Sequence, residues 1–120
     1  AGQFPRFYPT TGDGLKAYGQ AMAKVLKYLY NAGVSAFIET PNEPNEIGGI
    51  SDPIPPQKIG QMAGQAVSYA AAEGLQLNNS TGPAVLAGSI LVNSTTENYV
   101  DESGKHGTAA EYFSQVQYWT

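Results

Sequence analysis

Asn42-Glu43-Pro44-Asn45 is the stretch of this 120-residue chain whose residue types and order could do chemistry. A carboxyl group at 43 follows an amide at 42, and Pro41 and Pro44 stiffen the turn that holds both. A second carboxylate, Glu39, stands four residues earlier. A carboxyl fixed in this way serves as a general acid when desolvation or a neighbouring negative charge keeps it protonated near neutral pH. Two plainer readings stand beside this one. Asn and Pro are ordinary turn formers, so the tetrapeptide is also sound turn chemistry. Glu39 reads either as a strand-end surface carboxylate or as the like charge that raises the pKa of Glu43.

Other polar residues offer less. Glu46 and Asp52 share the following loop without calcium-loop spacing, and His106, the single histidine, has no partner for metal or triad chemistry. There is no cysteine, which excludes disulfides and thiolate chemistry. Six Lys and Arg against ten Asp and Glu leave a net charge of −4, and the scattered basic residues form no phosphate-neutralising patch. Nucleic acid is therefore not an expected partner. No apolar run approaches the roughly 20 residues of a membrane-spanning helix. Neither glycine-rich nucleotide fingerprint occurs. Tyr99 and Trp119 are candidates to stack on sugar rings, although Trp119, at helical spacing with Tyr112 and Val116, reads as core. Asn78, Asn79 and Asn93 each begin a glycosylation sequon.

The elements that must position these groups follow from periodicity. Residues 1–14 read as an irregular lead-in. Leu15, Tyr18, Met22, Val25 and Leu29 recur at spacings of three and four, widened by Leu26 and Tyr30, and predict a helix with Asp13 as N-cap and Gly33 as its left-handed stop. Residues 34–40 are β-prone and end at Pro41, and 41–56 form a long loop with five prolines. A second helix is expected from Pro56 to Glu73, its small residues (Gly60, Ala63, Gly64, Ala66 and Ala70 to Ala72) suited to close packing, with Gly74 as stop. A second strand follows over 83–92, then a polar loop over 93–107. A third helix opens at Thr108 with Glu111 in capping-box position and Tyr112, Phe113, Val116 and Trp119 on its apolar face. The order is α-β-α-β-α, an α/β class in which the strand-to-helix loops carry the chemistry.

With that order around it, Asn42-Glu43-Pro44-Asn45 resembles the strand-four signature of the retaining (β/α)8-barrel glycoside hydrolase superfamily. There the acid/base and the nucleophile stand at the ends of strands four and seven. The resemblance implies a partial TIM barrel over 15–120, with 15–32 as helix three, 34–40 as strand four, 56–73 as helix four, 84–91 as strand five and 108–120 as the start of helix five. It implies that Glu43 is the general acid/base, that Asn42 holds the hydroxyl beside the reacting carbon, and that Asn45 and Glu39 line the sugar. Retaining cleavage needs a second carboxylate about 5–5.5 Å from the first. Glu97, Asp101, Glu102 and Glu111 do not stand where a strand-seven nucleophile belongs.

A full barrel takes about 250 residues. The expectation is therefore a segment of a longer, secreted enzyme acting on a β-linked glycoside or polysaccharide, without a cofactor or metal. The remainder of the barrel, or neighbouring subunits, would complete it. Two alternatives remain: a non-catalytic extracellular structural, filament or carbohydrate-binding protein of related shape, and a small independent α/β binding domain in which Asn42-Glu43-Pro44 is only a turn.

Overall fold

A computed structural model of the chain describes residues 8–41, 54–86, 99–100, 106–107 and 109–120. The first helix, α1, spans Gly12–Asn31, three residues earlier than the apolar spacing suggests. Its N-cap is Thr11, not Asp13. The extended Thr11 backbone lets its Oγ1 accept from the Gly14 amide at 3.0 Å. Asp13 lies inside the first turn, where a negative charge favours the helix dipole.

At the other end Gly33 takes φ +86°. Its amide donates to the Tyr30 carbonyl at 3.0 Å, and the Val34 amide to the Leu29 carbonyl at 2.8 Å. These two bonds close a Schellman motif. The second helix, α2 (Pro56–Ala72), begins with proline in the first turn and ends in the same motif. Gly74 has φ +84°, with Gly74 N–H on the Ala71 carbonyl and Leu75 N–H on the Ala70 carbonyl. Both glycine stops read from the sequence are therefore in place.

The strands are shorter than their β-prone segments. β1 is Phe37–Glu39 and β2 is Ala84–Leu86, paired in parallel with Phe37 opposite Ala84 and Glu39 opposite Leu86. The remaining part of the expected second strand, 87–92, lies outside the described residues. The order β1, α2, β2 makes a crossover unit, and the described residues form an α/β arrangement. Within the expected polar loop 93–107, β3 (Tyr99–Val100) pairs antiparallel with β4 (His106–Gly107), a two-residue ladder with no hydrophobic alternation to announce it. The last helix, α3, is Ala109–Trp119, and Thr108, its expected cap, falls outside the described residues.

Two apolar clusters hold these elements. Leu26, Ala23, Ala70 and Leu75 close the space between the two long helices and one face of the β1–β2 sheet, against Ile38 and Val85. Leu15, Ile54, Ile59, Met62, Tyr112 and Val116 tie α1, α2 and α3 together, with Tyr8 and Tyr18 packed on the outside. Fully burying a Leu or Ile contributes about 1.5–3 kcal/mol, so Leu26, Ile54 and Ile59, all at 0–1% exposure, are major contributors. The Tyr112 hydroxyl donates to the Ile54 carbonyl at 2.6 Å and satisfies a buried acceptor.

The buried side of α1 differs from the predicted stripe. Leu15 and Leu26 of the stripe face inward together with Gly19 and Ala23, while Val25 and Tyr30 of the stripe are exposed. The reason is the small residues. A Cβ at Gly19 would stand 2.7 Å from the Gln65 Cβ and 2.8 Å from its carbonyl carbon, so α1 and α2 touch main chain to side-chain root. On the opposite flank of α2, a Cβ at Gly60 would stand 2.7 Å from the Val116 carbonyl oxygen and from the Trp119 Cβ. The close packing expected of α2 is thus realised on two sides. On α3 only half of the expected apolar face is buried: Tyr112 and Val116 are inside, Phe113 and Trp119 are not.

Candidate functional site

The C-terminal end of β1 is where the chain approaches the motif. Ile38 points to the helices and joins the Leu26 cluster, so by the alternation of a strand Phe37 and Glu39 occupy the other face. Both are exposed, as is Leu86 on β2. Thr40 continues the pairing, its amide donating to the Leu86 carbonyl at 3.0 Å, and its residue is buried. Pro41 is half-buried and ends the described segment. Of the four candidate site residues, Glu39 is therefore an exposed residue on the face of the sheet turned away from the helices. Asn42, Glu43 and Asn45 lie outside the described residues, as do Glu46, Asp52 and the side chains of Tyr99 and His106. Among the described residues no three His, Asp or Glu gather into a metal-holding group.

The loop that leads into β2, at the opposite end of the strand pair, is tightly built. Asn78 Oδ1 accepts from the amides of Ser80 and Thr81 at 2.8 and 3.2 Å, and the Gly82 amide returns to the Asn78 carbonyl at 2.8 Å. This is an Asx turn, for which Asn is suited. Gly82, at φ +72°, lets the chain pass the Ser35 carbonyl, which a Cβ would approach to 3.0 Å.

A second polar feature lies on the helical side, away from the strand ends. A cavity of about 290 Å³ opens between α1, α2 and α3. Its walls are Gln61, Gln65 and Ser68 of α2 with Trp119 and Thr120 at the end of α3. Gly64 and Leu15 complete the lining. No charged residue contributes. Gln61 Oε1 is enclosed without a hydrogen-bond partner, as is Gln57 Oε1 one turn earlier. Leaving such an oxygen unpaired costs about 1–3 kcal/mol, which marks this helix face as a place that gives up stability. Trp119, expected in the core, is 40% exposed and stacks edge-on with Tyr118 at 5.5 Å. Gly60 explains the difference. It draws the root of Trp119 onto α2 and leaves the ring at the rim. The one sequence signal for this wall was the spacing of Gln57, Gln61 and Gln65, four apart on one helical face.

Tyr18 packs outside the Leu15 cluster. Burial pushes its phenol above the ordinary value of 10.0.

Known proteins add nothing to this picture. No protein-family model, no curated protein and no solved structure matches the chain. The function has to be argued from the residues themselves.

Proposed function

We propose that this chain is part of a secreted retaining glycoside hydrolase of (β/α)8 architecture, acting on a β-linked glycoside or polysaccharide with Glu43 as general acid/base. One observation carries the reading beyond the motif. α1 and α2 both pack on the same face of a parallel strand pair, and the opposite face bears the exposed Phe37, Glu39 and Leu86 beside the buried Ala84. Parallel sheets are ordinarily covered on both faces. Helices wound successively on one side, with the other side turned inward, are the winding of a closed barrel. The same winding also occurs in one half of a doubly wound sheet, whose first strand end carries a glycine-rich phosphate loop. This sequence has no such loop and has Asn42-Glu43-Pro44 after β1 instead.

In this reading Glu43 protonates the leaving oxygen and later deprotonates the incoming water, while a nucleophilic carboxylate about 5–5.5 Å away attacks the anomeric carbon. Asn42 and Asn45 hold sugar hydroxyls. Glu39, on the inward face, contributes negative charge that keeps Glu43 protonated. The further strands would come from additional polypeptide or from neighbouring subunits.

The test is Glu43→Gln in the intact polypeptide, assayed against a panel of β-linked substrates on which the parent is active. General-acid loss lowers kcat by about 10²–10⁴-fold on a substrate with a poor leaving group. Added azide should restore part of the turnover of an aryl glycoside, because an anionic nucleophile needs no base. Unchanged turnover in the variant, or a parent without activity on any β-linked sugar, rejects the proposal.

A further inference from the structure

We infer that Asn79 is a site of N-linked glycosylation and that Asn78, which begins an overlapping sequon, is not. The two triplets are Asn78-Asn79-Ser80 and Asn79-Ser80-Thr81, and neither has proline in its middle place. Both asparagines are exposed, so access does not choose between them. Hydrogen bonding does. The Asn78 side chain is already engaged, its Oδ1 accepting from the Ser80 and Thr81 amides at 2.8 and 3.2 Å. Its main chain is engaged too, the amide donating to the Pro83 carbonyl at 2.9 Å and the carbonyl accepting from Gly82. A planar carboxamide held by its oxygen has its nitrogen fixed as well, so a sugar on Asn78 Nδ2 must be fitted against the turn that the same group closes. Among the described residues no group bonds the Asn79 side chain. The Thr81 hydroxyl, which completes the Asn79 sequon, is exposed and reaches only the Gly82 carbonyl, at 3.4 Å.

The place suits the group it would carry. Ala84 opposes Phe37 and Leu86 opposes Glu39, so the loop before Ala84 lies at one end of the strand pair and Thr40 at the other. A bulky, hydrated chain on Asn79 therefore stands clear of the strand ends at which barrel chemistry is done. Gln76, Asn78, Ser80 and Thr81 around it are polar and exposed, so no packing face is given up. The donor is an oligosaccharide joined through its anomeric carbon to a polyisoprenyl diphosphate, supplied with its transferase by a eukaryotic secretory pathway. Asn79 Nδ2 bonds to that carbon as the carbon–oxygen bond to the diphosphate breaks. The lipid diphosphate leaves with the electron pair, Nδ2 gives up one proton, and nothing is oxidised or reduced. The inference rests on the secreted part of the proposed function and not on Glu43 being catalytic.

The intact polypeptide carrying Asn93→Gln, which removes the third sequon, is passed through a eukaryotic secretory host. Cells and medium are both read, so retention does not hide the product. Peptide:N-glycosidase in heavy-oxygen water converts each glycosylated asparagine to a labelled aspartate, which peptide sequencing by mass spectrometry locates. The label should fall on residue 79. Asn79→Gln and Thr81→Ala should each leave residues 78–81 without label. Asn78→Asp, which keeps the oxygen that closes the turn, should retain the label at 79. Glu43→Gln should carry it as the parent does, so a failed glycosidase assay leaves this result standing. An unlabelled residue 79 in the parent overturns the inference. So does a label on residue 78, whether in the parent or in either variant that lacks the Asn79 sequon.

Discussion

Gly19→Ala is the sharpest probe of how the helices are held. An alanine Cβ would lie 2.7 Å from the Gln65 Cβ and 2.8 Å from both the carbon and the oxygen of its carbonyl. Carbon contacts are comfortable at about 3.5–4.0 Å, so α1 and α2 must part locally by about 0.7 Å. The obstacles include two main-chain atoms, which have no rotamer to turn away. Overpacking of this kind costs about 1–3 kcal/mol, against which alanine returns about 0.8–1 kcal/mol of helix preference over glycine. A net loss of about 1–2 kcal/mol follows, taking the upper part of the overpacking range. In urea, with a slope of about 2 kcal/mol per molar, the unfolding midpoint should fall by about 0.5–1 M with the slope unchanged. Gly12→Ala is the control, because a Cβ there meets nothing within 4 Å. It should raise stability by about 0.4–1 kcal/mol. If Gly19→Ala also unfolds at or above the parent midpoint, the close approach of the helices is refuted.

Three further outcomes are expected. Gly74→Ala forces a Cβ residue to φ +84° and should lower stability by about 1–2 kcal/mol, read by thermal circular dichroism; an unchanged midpoint contradicts the Schellman assignment. Tyr112→Phe removes the 2.6 Å bond to the Ile54 carbonyl and leaves that buried acceptor unpaired, for a loss of about 1–3 kcal/mol in denaturant titration. Because the folded state holds the Tyr18 proton more tightly than the unfolded chain does, the corresponding stability is complete below pH 10.0. It declines as pH rises from there through the raised folded pKa, and Tyr18→Phe should reduce that decline.

The helices were legible from residues 15–30, 56–73 and 109–119 because large apolar side chains repeat at helical spacing there, and Gly33 and Gly74 mark the ends by a backbone conformation other residues avoid. The orientation of α1 was not, because periodicity weighs large side chains. Gly19 and Ala23 carry almost no hydrophobic weight, yet a small side chain is what allows two helices to meet. Thr11 escaped notice beside Asp13, a residue equally able to cap. Only the position of the Gly14 amide distinguishes them. The β3–β4 ladder is held by main-chain pairing of two residues per strand, too short for any alternation to register. Of the candidate site, Asn42-Glu43-Pro44-Asn45 was visible as a motif because its elements are contiguous. The cavity was invisible because its wall joins residues fifty apart, and its shape depends on how closely Gly60 admits α3.

Contacts made by main chain leave little to vary. At Gly19 and Gly60 every other amino acid adds atoms where a neighbouring helix already stands, so the sequence of α2 and its flanks can drift only on the sides turned away from both partners. Gln65 is not among those free sides, since its main chain and Cβ are what Gly19 meets, whereas Val67, Ser68, Ala71 and Ala72 are exposed. Selection can therefore rewrite α2 at those exposed positions without disturbing the distance between the helices.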